Sequence, residues 1–348
     1  MTLTFFETAT GAENYYNPKT KRTEQHIFFV GANGSLNQSW WDGRSWNSQV
    51  LPGSPASWPI ALGWAPGNEL HVFFKDVSGA LAQSWQNASG WSTQLLPGRP
   101  ARGITAVNSD FYGPEMHVFY VQDNALHQSW QRPDDSWLSQ QLPGAPEVAL
   151  GLSAMSFGVM LNSTRFAHPP EQHVYYRQNG RLTQSWWDGS AWNTQPLPGN
   201  PAGAPVALGS QQVFFVDANG TLQRSSYDGS NWNTQALPGS PLGFQLLAIE
   251  GSVAVIFYVG KSGRLEFTAG VGSNWSTATL PGRPSLLLGV LPFGVINSSN
   301  YGIPIDGPHV FFRGDDGSLQ QTWQDVSGNW QNQTLPAATA VRGGFDLP

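Results

Sequence analysis

The sequence predicts an all-β fold, a seven-bladed β-propeller with four antiparallel strands per blade, and three observations carry that expectation. One phrase recurs seven times; its fullest copy, residues 26–55, reads HIFFVGANGSLNQSWWDGRSWNSQVLPGSP. Each copy carries a landmark tryptophan: Trp46, Trp91, Trp137, Trp192, Trp232, Trp275 and Trp330, spaced by 45, 46, 55, 40, 43 and 55 residues. These are blade lengths. A Leu-Pro dipeptide follows every one of them, with glycine next in six of the seven copies.

Each copy divides into strands. The run opening with His-Ile-Phe-Phe at His26 is short, β-branched and aromatic, the composition of a strand. Asn33-Gly34, and Asn219-Gly220 in the fifth copy, are two-residue hairpin signals. Residues 36–41 form the next strand and Asp42-Gly43 the next turn. Residues 46–50 form another strand, ended by Leu51-Pro52-Gly53. An apolar stretch precedes each following copy, as at 59–63 and 103–107, and supplies the fourth strand. Residues 3–8 are expected to form the inner strand of the first blade, with the tail 338–345 either packing against it or completing the ring. No linker or shift of composition interrupts the chain, so residues 1–348 read as one domain.

Composition excludes several classes. Of 348 residues 13% are aromatic, including 16 Trp, and only 11% are charged; such a chain is neither disordered nor a helical bundle. A net charge of −6 leaves no basic footprint for nucleic acid. Cysteine is absent, which removes disulfides and thiolate metal sites. The longest apolar run, 285–296, is too short for a membrane span. No phosphate loop, dinucleotide fingerprint, GxSxG or HExxH occurs. The seven histidines are mostly spread one per blade, so neither a metal nor a cofactor is expected. The Asp-Gly-x-x-Trp turn, as at Asp188 and Trp192, reads as a hairpin turn rather than a sialidase aspartate box. Eight sequons, at Asn33, Asn37, Asn87, Asn162, Asn219, Asn274, Asn297 and Asn332, point to a secreted or secretory-pathway glycoprotein, although no signal peptide is visible.

The repeat also carries candidate site residues. The seven landmark tryptophans are expected to fill the wedge between neighbouring blades. A second tryptophan recurs on the third strand in five copies: Trp40, Trp85, Trp130, Trp186 and Trp323. Beside it recur His26, His71, His117, His173 and His309, and Gln38, Gln83, Gln128, Gln184 and Gln321. Two roles are open for the His and Gln: a hydrogen-bonded pair tying strands or blades together, or direct contact with ligand hydroxyls beside an aromatic sugar platform. Copies five and six break the set, with Gln212/Arg224/Ser226 and Val255/Phe267/Ala269.

The phrase GANGSLNQSWWDGRSWNSQVLPG resembles the repeat of bacterial seven-bladed lectins and tectonin-like proteins. ITAVNSDFYGPEMHVFYV followed by LHQSW resembles the blade of fungal fucose-binding lectins. The resemblance covers nearly the whole chain and implies a carbohydrate-binding propeller with multiple weak sites between blades, glycans as partners, and possible homo-oligomers. In the fungal fucose lectins an Arg on the second strand, a Glu on the third and an aromatic from the neighbouring blade hold the sugar. Here His71 stands at the Arg position and Gln83 at the Glu position, with equivalent changes in four other blades.

A different reading starts from broken symmetry. Long loops are expected at 11–25, 158–172 and 294–308, all on one face. They would place Tyr15, Tyr16, His168 and Tyr301 as polar groups, with Phe166 and Phe293 as apolar wall, around a single pocket for an apolar small molecule. His168 is the expected general acid or base. In architecture, and in the loss of the sugar motif, the chain is similar to fungal hetero-Diels–Alderases. These are cofactor-independent pericyclases joining a tropolone quinone methide to a sesquiterpene such as humulene in secondary metabolism.

Overall fold

The computed structural model describes residues 11–17, 22–64, 69–87, 89–109, 115–147, 151–157, 160–162, 165–166, 171–209, 211–291 and 307–342. Among them there is no helix. Seven four-stranded antiparallel sheets follow one another along the chain. Blade 1 is built from Ala12–Asn17, Arg22–Val30, Leu36–Trp41 and Trp46–Leu51, paired in chain order. Blades 2 to 7 open with Ile60–Trp64, Arg102–Ser109, Ser153–Phe157, Val206–Leu208, Pro241–Glu250 and Pro284–Leu291. Each ends on a strand that starts at or one residue before its landmark tryptophan. These first strands line the central axis. Each approaches those of both neighbours, and the strand of blade 7 reaches the strand of blade 1.

The inner strand of blade 1 is therefore Ala12–Asn17 and not residues 3–8, which lie outside the described residues. Residues 11–25 also depart from the expected loop. Ala12–Asn17 pairs with Arg22–Val30 from Ala12↔Ile27 to Asn17↔Arg22, because AENYYN has no apolar alternation to announce a strand yet pairs all its length with one that does. Residues 158–172 hold a small hairpin, Met160–Asn162 with Arg165–Phe166. Most of 294–308 lies outside the described residues.

Two contacts repeat around the ring. On the second strand of blade 1, Phe28 and Phe29 point to opposite faces of the sheet, as successive strand residues must. Phe28 meets Trp91 of blade 2 edge-on, centroids 5.7 Å apart. The same pairing joins Phe73 to Trp137, Phe119 to Trp192, Tyr175 to Trp232, Phe214 to Trp275 and Phe257 to Trp330. Phe311 to Trp46, at 6.0 Å, closes blade 7 on blade 1. Each pair sits in one of seven interblade apolar clusters, so the wedge role expected of these tryptophans is what the ring uses.

The second contact is a latch. A third-strand hydroxyl donates to the proline carbonyl of the preceding blade's Leu-Pro turn. Ser84 reaches Pro52 at 2.6 Å, and Ser129, Ser185, Ser225, Thr268 and Thr322 repeat the bond to Pro97, Pro143, Pro198, Pro238 and Pro281. The glycine after the proline is needed there. Gly53 has φ +125°, and a Cβ on it would lie 2.7 Å from Cζ of Phe74.

Ring closure involves no exchanged strand among the described residues; the C-terminal tail does the tying. Ser39 Oγ donates to the Pro336 carbonyl at 2.5 Å, Ala32 N to Ala340 O at 2.7 Å, and Arg342 N to Val30 O at 2.8 Å. The tail thus packs on the second and third strands of blade 1 and the turn between them. Trp46→Ala should lower the stability of the ring by about 3–5 kcal/mol, the range for truncating a packed aromatic, and Ser39→Ala by about 1 kcal/mol. Urea titration followed by near-UV dichroism measures both. An unchanged midpoint for Trp46→Ala would refute closure through this wedge.

Candidate functional site

The His and Gln of the repeat lie on the blade face that carries Phe28, turned toward the next blade, because Phe28↔Gln38 and His26↔Trp40 are cross-strand partners. Gln38 Nε2 lies 2.6 Å from His26 Nδ1, and Gln38 Oε1 accepts from Gln49 Nε2 on the outermost strand at 2.6 Å. The arrangement recurs as His71–Gln83–Gln94, His117–Gln128–Gln140, His173–Gln184–Gln195 and His309–Gln321–Gln333. On the other side of the ring, Nε2 faces a glutamate two residues earlier on the same strand. The distance is 3.2 Å for Glu24–His26, Glu69–His71 and Glu115–His117, and 2.7 Å for Glu171–His173.

In blade 4 the carboxylate sets the direction of the relay. There His173 Nε2 hydrogen-bonds Glu171 at 2.7 Å, and an ionised carboxylate only accepts, so Nε2 carries the proton. Nδ1 then accepts from the inner Gln, whose oxygen is left to accept from the outer Gln. At His26, His71 and His117 the carboxylate stands near Nε2 at 3.2 Å without an aligned hydrogen bond. Histidines and inner glutamines are buried in all five blades. They act as the strand-tying pair, while the solvent-facing polar ends are the outer glutamines and the glutamates of blades 2 to 4. Those two sets were missing from the sequence reading, although Glu-x-His occurs four times and Gln stands three residues after six of the seven landmark tryptophans. At the blade 3–4 cleft the relay also crosses blades, Gln128 Nε2 donating to Gln172 Oε1 at 3.1 Å.

The third-strand tryptophans Trp40, Trp85, Trp130, Trp186 and Trp323 are all half-buried beside these relays. The glutamates differ. The Glu24 side chain is 7% exposed and accepts from Asn17 Nδ2 at 2.8 Å. Glu69, Glu115 and Glu171 are 34%, 21% and 26% exposed, enough for a ligand hydroxyl to reach. In blade 7 Gly307 takes the glutamate's place. Burial raises the pKa of Glu69, with Asp135 adding to it. Burial lowers that of His26 against the opposing effect of Glu24, and lowers His71 to about 4.

Blades 5 and 6 break the relay. Arg224 replaces the inner Gln of blade 5, donating to Gln212 and Gln235. Blade 6 presents Val255, Phe267 and Ala269 at these positions.

Of the residues expected around a single apolar pocket, His168, Tyr301 and Phe293 lie outside the described residues, as do the side chains of Tyr16 and Phe166. Tyr15 is buried in the apolar cluster between blades 1 and 2, edge-on to His26 at 5.7 Å. Its pKa is raised by burial and then by Glu24 and Glu69. The Asp-Gly-x-x-Trp segment is a turn: Asp188 accepts from Ser190 and Ala191 N–H groups, and these bonds hold its carboxyl below the usual range. Among the sequons, Asn37 is fully buried and therefore has no room for a glycan. Among the described residues no group of three or more His, Asp or Glu could hold a metal ion, and no helix is long and apolar enough to cross a membrane.

No family model and no curated protein sequence matches the chain. Solved structures do. Aleuria aurantia lectin bound to Fucα1-6GlcNAc superposes with a TM-score of 0.56 at 19% identity, over 82% of this chain and 96% of the lectin. AofleA from Arthrobotrys oligospora gives 0.54 at 15% identity, over 80% and 90%. BBS1N in complex with ARL6DN gives 0.54 at 13% identity, over 96% and 93%. At these identities the likeness establishes the fold. The Aleuria lectin is a six-bladed propeller, one blade fewer than the seven found here.

The relay has a pH signature. Unfolded, the His71 imidazole titrates near 6.5; folded, it stays neutral down to about 4. The unfolded chain therefore takes up the proton first. Stability held above pH 6.5 falls as pH drops toward 4, by at most about 3 kcal/mol from this residue. His71→Gln, which installs the residue that blade 5 carries at the same position, should flatten that part of the curve of urea midpoint against pH. An undiminished slope between pH 6.5 and 4 would show that His71 does not titrate in this way.

Proposed function

We propose that the chain binds carbohydrate weakly at several clefts between its blades, foremost those between blades 2 and 3, 3 and 4, and 4 and 5. The observation that carries this reading is a half-buried indole on the blade face that also carries a partly exposed carboxylate next to a buried histidine: Trp85 with Glu69, Trp130 with Glu115, and Trp186 with Glu171, the last hydrogen-bonded to His173. An indole face packs on the C–H face of a pyranose. The carboxylate accepts hydroxyl hydrogen bonds, which charge makes about twice as strong as neutral ones. Gln94, Gln140 and Gln195 add an amide at the same mouths. The clefts after blades 1 and 7 retain Trp40 and Trp323, but Glu24 is covered and Gly307 offers nothing in its place.

Structural neighbours support the ligand class. The Aleuria lectin is bound to fucosides, and SapL1 lectin is in complex with α-methyl fucoside. The second-strand Arg that the fungal fucose lectins use is replaced by His in five blades here, so the glycan preference is expected to differ from theirs. An extracellular or secretory setting suits a glycan receptor, and the exposed turn at Asn33 is where a sequon would be modified.

Trp85→Ala, Trp130→Ala and Trp186→Ala should each remove one site in a calorimetric titration, and the triple variant should lose the set, while Trp40→Ala leaves the stoichiometry unchanged. Retention on a multivalent glycan surface should exceed single-site affinity by about a hundredfold or more where several sites engage together. Silence across fucose, galactose and hexosamine ligands on a glycan array would overturn the reading.

A further inference from the structure

The cleft between blades 5 and 6 departs from its sisters at three aligned positions. Gln212 stands in place of histidine, Arg224 in place of the inner glutamine, and Ser226 in place of the rim tryptophan. Arg224 Nη1 donates to Gln212 Oε1 and Nη2 to Gln235 Oε1, each at 3.2 Å. The guanidinium lies over the ring of Trp275 from blade 6, 5.3 Å from its centroid. With serine where an indole would stand, a cavity of about 250 Å³ opens, walled by Arg224, Ser226, Glu250, Ser252 and Gly270. That is room for one monosaccharide and too little for a drug-sized ligand.

Among the described residues Arg224 has no ion-pair partner, although Glu250 stands on the same cavity wall. Both acceptors of Arg224 are neutral amides. Burial alone acts on its pKa, downward, and a guanidinium remains protonated regardless. A half-buried guanidinium with no ion pair, and with its Nε unsatisfied, carries a desolvation cost that a directly bound carboxylate would offset. Two further features narrow the ligand. Trp275 is already covered by the guanidinium, so the stacking platform a neutral sugar needs is taken. Glu250 on the wall disfavours a second negative charge and accepts from hydroxyls, which suits one carboxylate among hydroxyls better than a doubly charged phosphate.

We propose that the blade 5–6 cleft is a single binding site for a carboxylate-bearing sugar, a uronic or sialic acid residue, held by Arg224. The sugar half of this proposal rests on the carbohydrate reading above; the carboxylate half rests on Arg224.

The test is a calorimetric and indole-NMR titration of the full chain with methyl β-glucuronide, the methyl α-glycoside of N-acetylneuraminic acid, methyl β-glucoside and acetate. One of the two acids should bind at one site per chain, shift the Trp275 indole signal, and exceed the glucoside and acetate at least tenfold. Which acid binds identifies the sugar. Arg224→Gln installs the residue of five sister blades, so folding should be kept while acid binding falls tenfold or more. Ser226→Trp restores the sister rim and should close the cavity with Arg224 in place. Binding of neither acid, equal binding of glucoside or acetate, or affinity unchanged in either variant would overturn the proposal. Neutral-glycan binding through Trp85, Trp130 and Trp186, measured in Arg224→Gln, tells failure of this site from failure of the carbohydrate reading.

Discussion

The edge-on contact between each outermost-strand tryptophan and an aromatic on the preceding blade is the constraint from which the rest of the molecule follows. Twisted sheets arranged radially leave a wedge between them that widens outward. One indole per blade fills it, from Trp91 on Phe28 round to Trp46 on Phe311. Because Phe28 and Phe29 must point to opposite faces, one side of every blade is given to the following tryptophan and the other to the preceding Leu-Pro turn. Polar side chains that share the tryptophan-facing side are thereby forced into the clefts.

That forced placement explains the relay. His26, Gln38 and Gln49 are brought to one face by strand period and cross-strand register, and burial there obliges each polar atom to find a partner. In blade 4 the bond from His173 to Glu171 gives the chain of bonds a single direction. The half-exposed Trp85, Trp130 and Trp186 then stand over a polar floor that is already ordered. A ligand meeting such a floor need not immobilise it, which reduces the cost of binding.

Blade 6 shows that the relay is not what holds the ring together. Its cleft with blade 7 is lined by Val255 and Phe267, with Phe257 and Phe267 both against Trp330 at 6.3 and 5.8 Å. Well-packed apolar groups replace a buried polar network there without loss of the fold, as is general for such exchanges. Five clefts therefore carry polarity that closure does not require. Blade 5 carries it in altered form, as a cation in a cavity.

Sequence by itself determined whatever repeats. The seven copies, the strand order within them, the wedge role of Trp46 and its equivalents, and the candidate pairing of His26 with Gln38 were legible because each depends on local periodicity and on residues within one blade. Residues 11–17 were read as part of a long loop, 11–25, that breaks the symmetry of the repeat; only pairing with Arg22–Val30 makes them a strand. The glutamates and outer glutamines escaped because their importance lies in a bond to an already buried histidine or amide, which no spacing displays. The tertiary structure alone decided what faces each cleft. There, Arg224 meets Trp275 from the next blade, 51 residues on, and the missing indole at Ser226 becomes a cavity only because blade 6 walls its other side. A cleft is composed by two neighbouring blades, and their packing, rather than either blade's own pattern, sets its shape and charge.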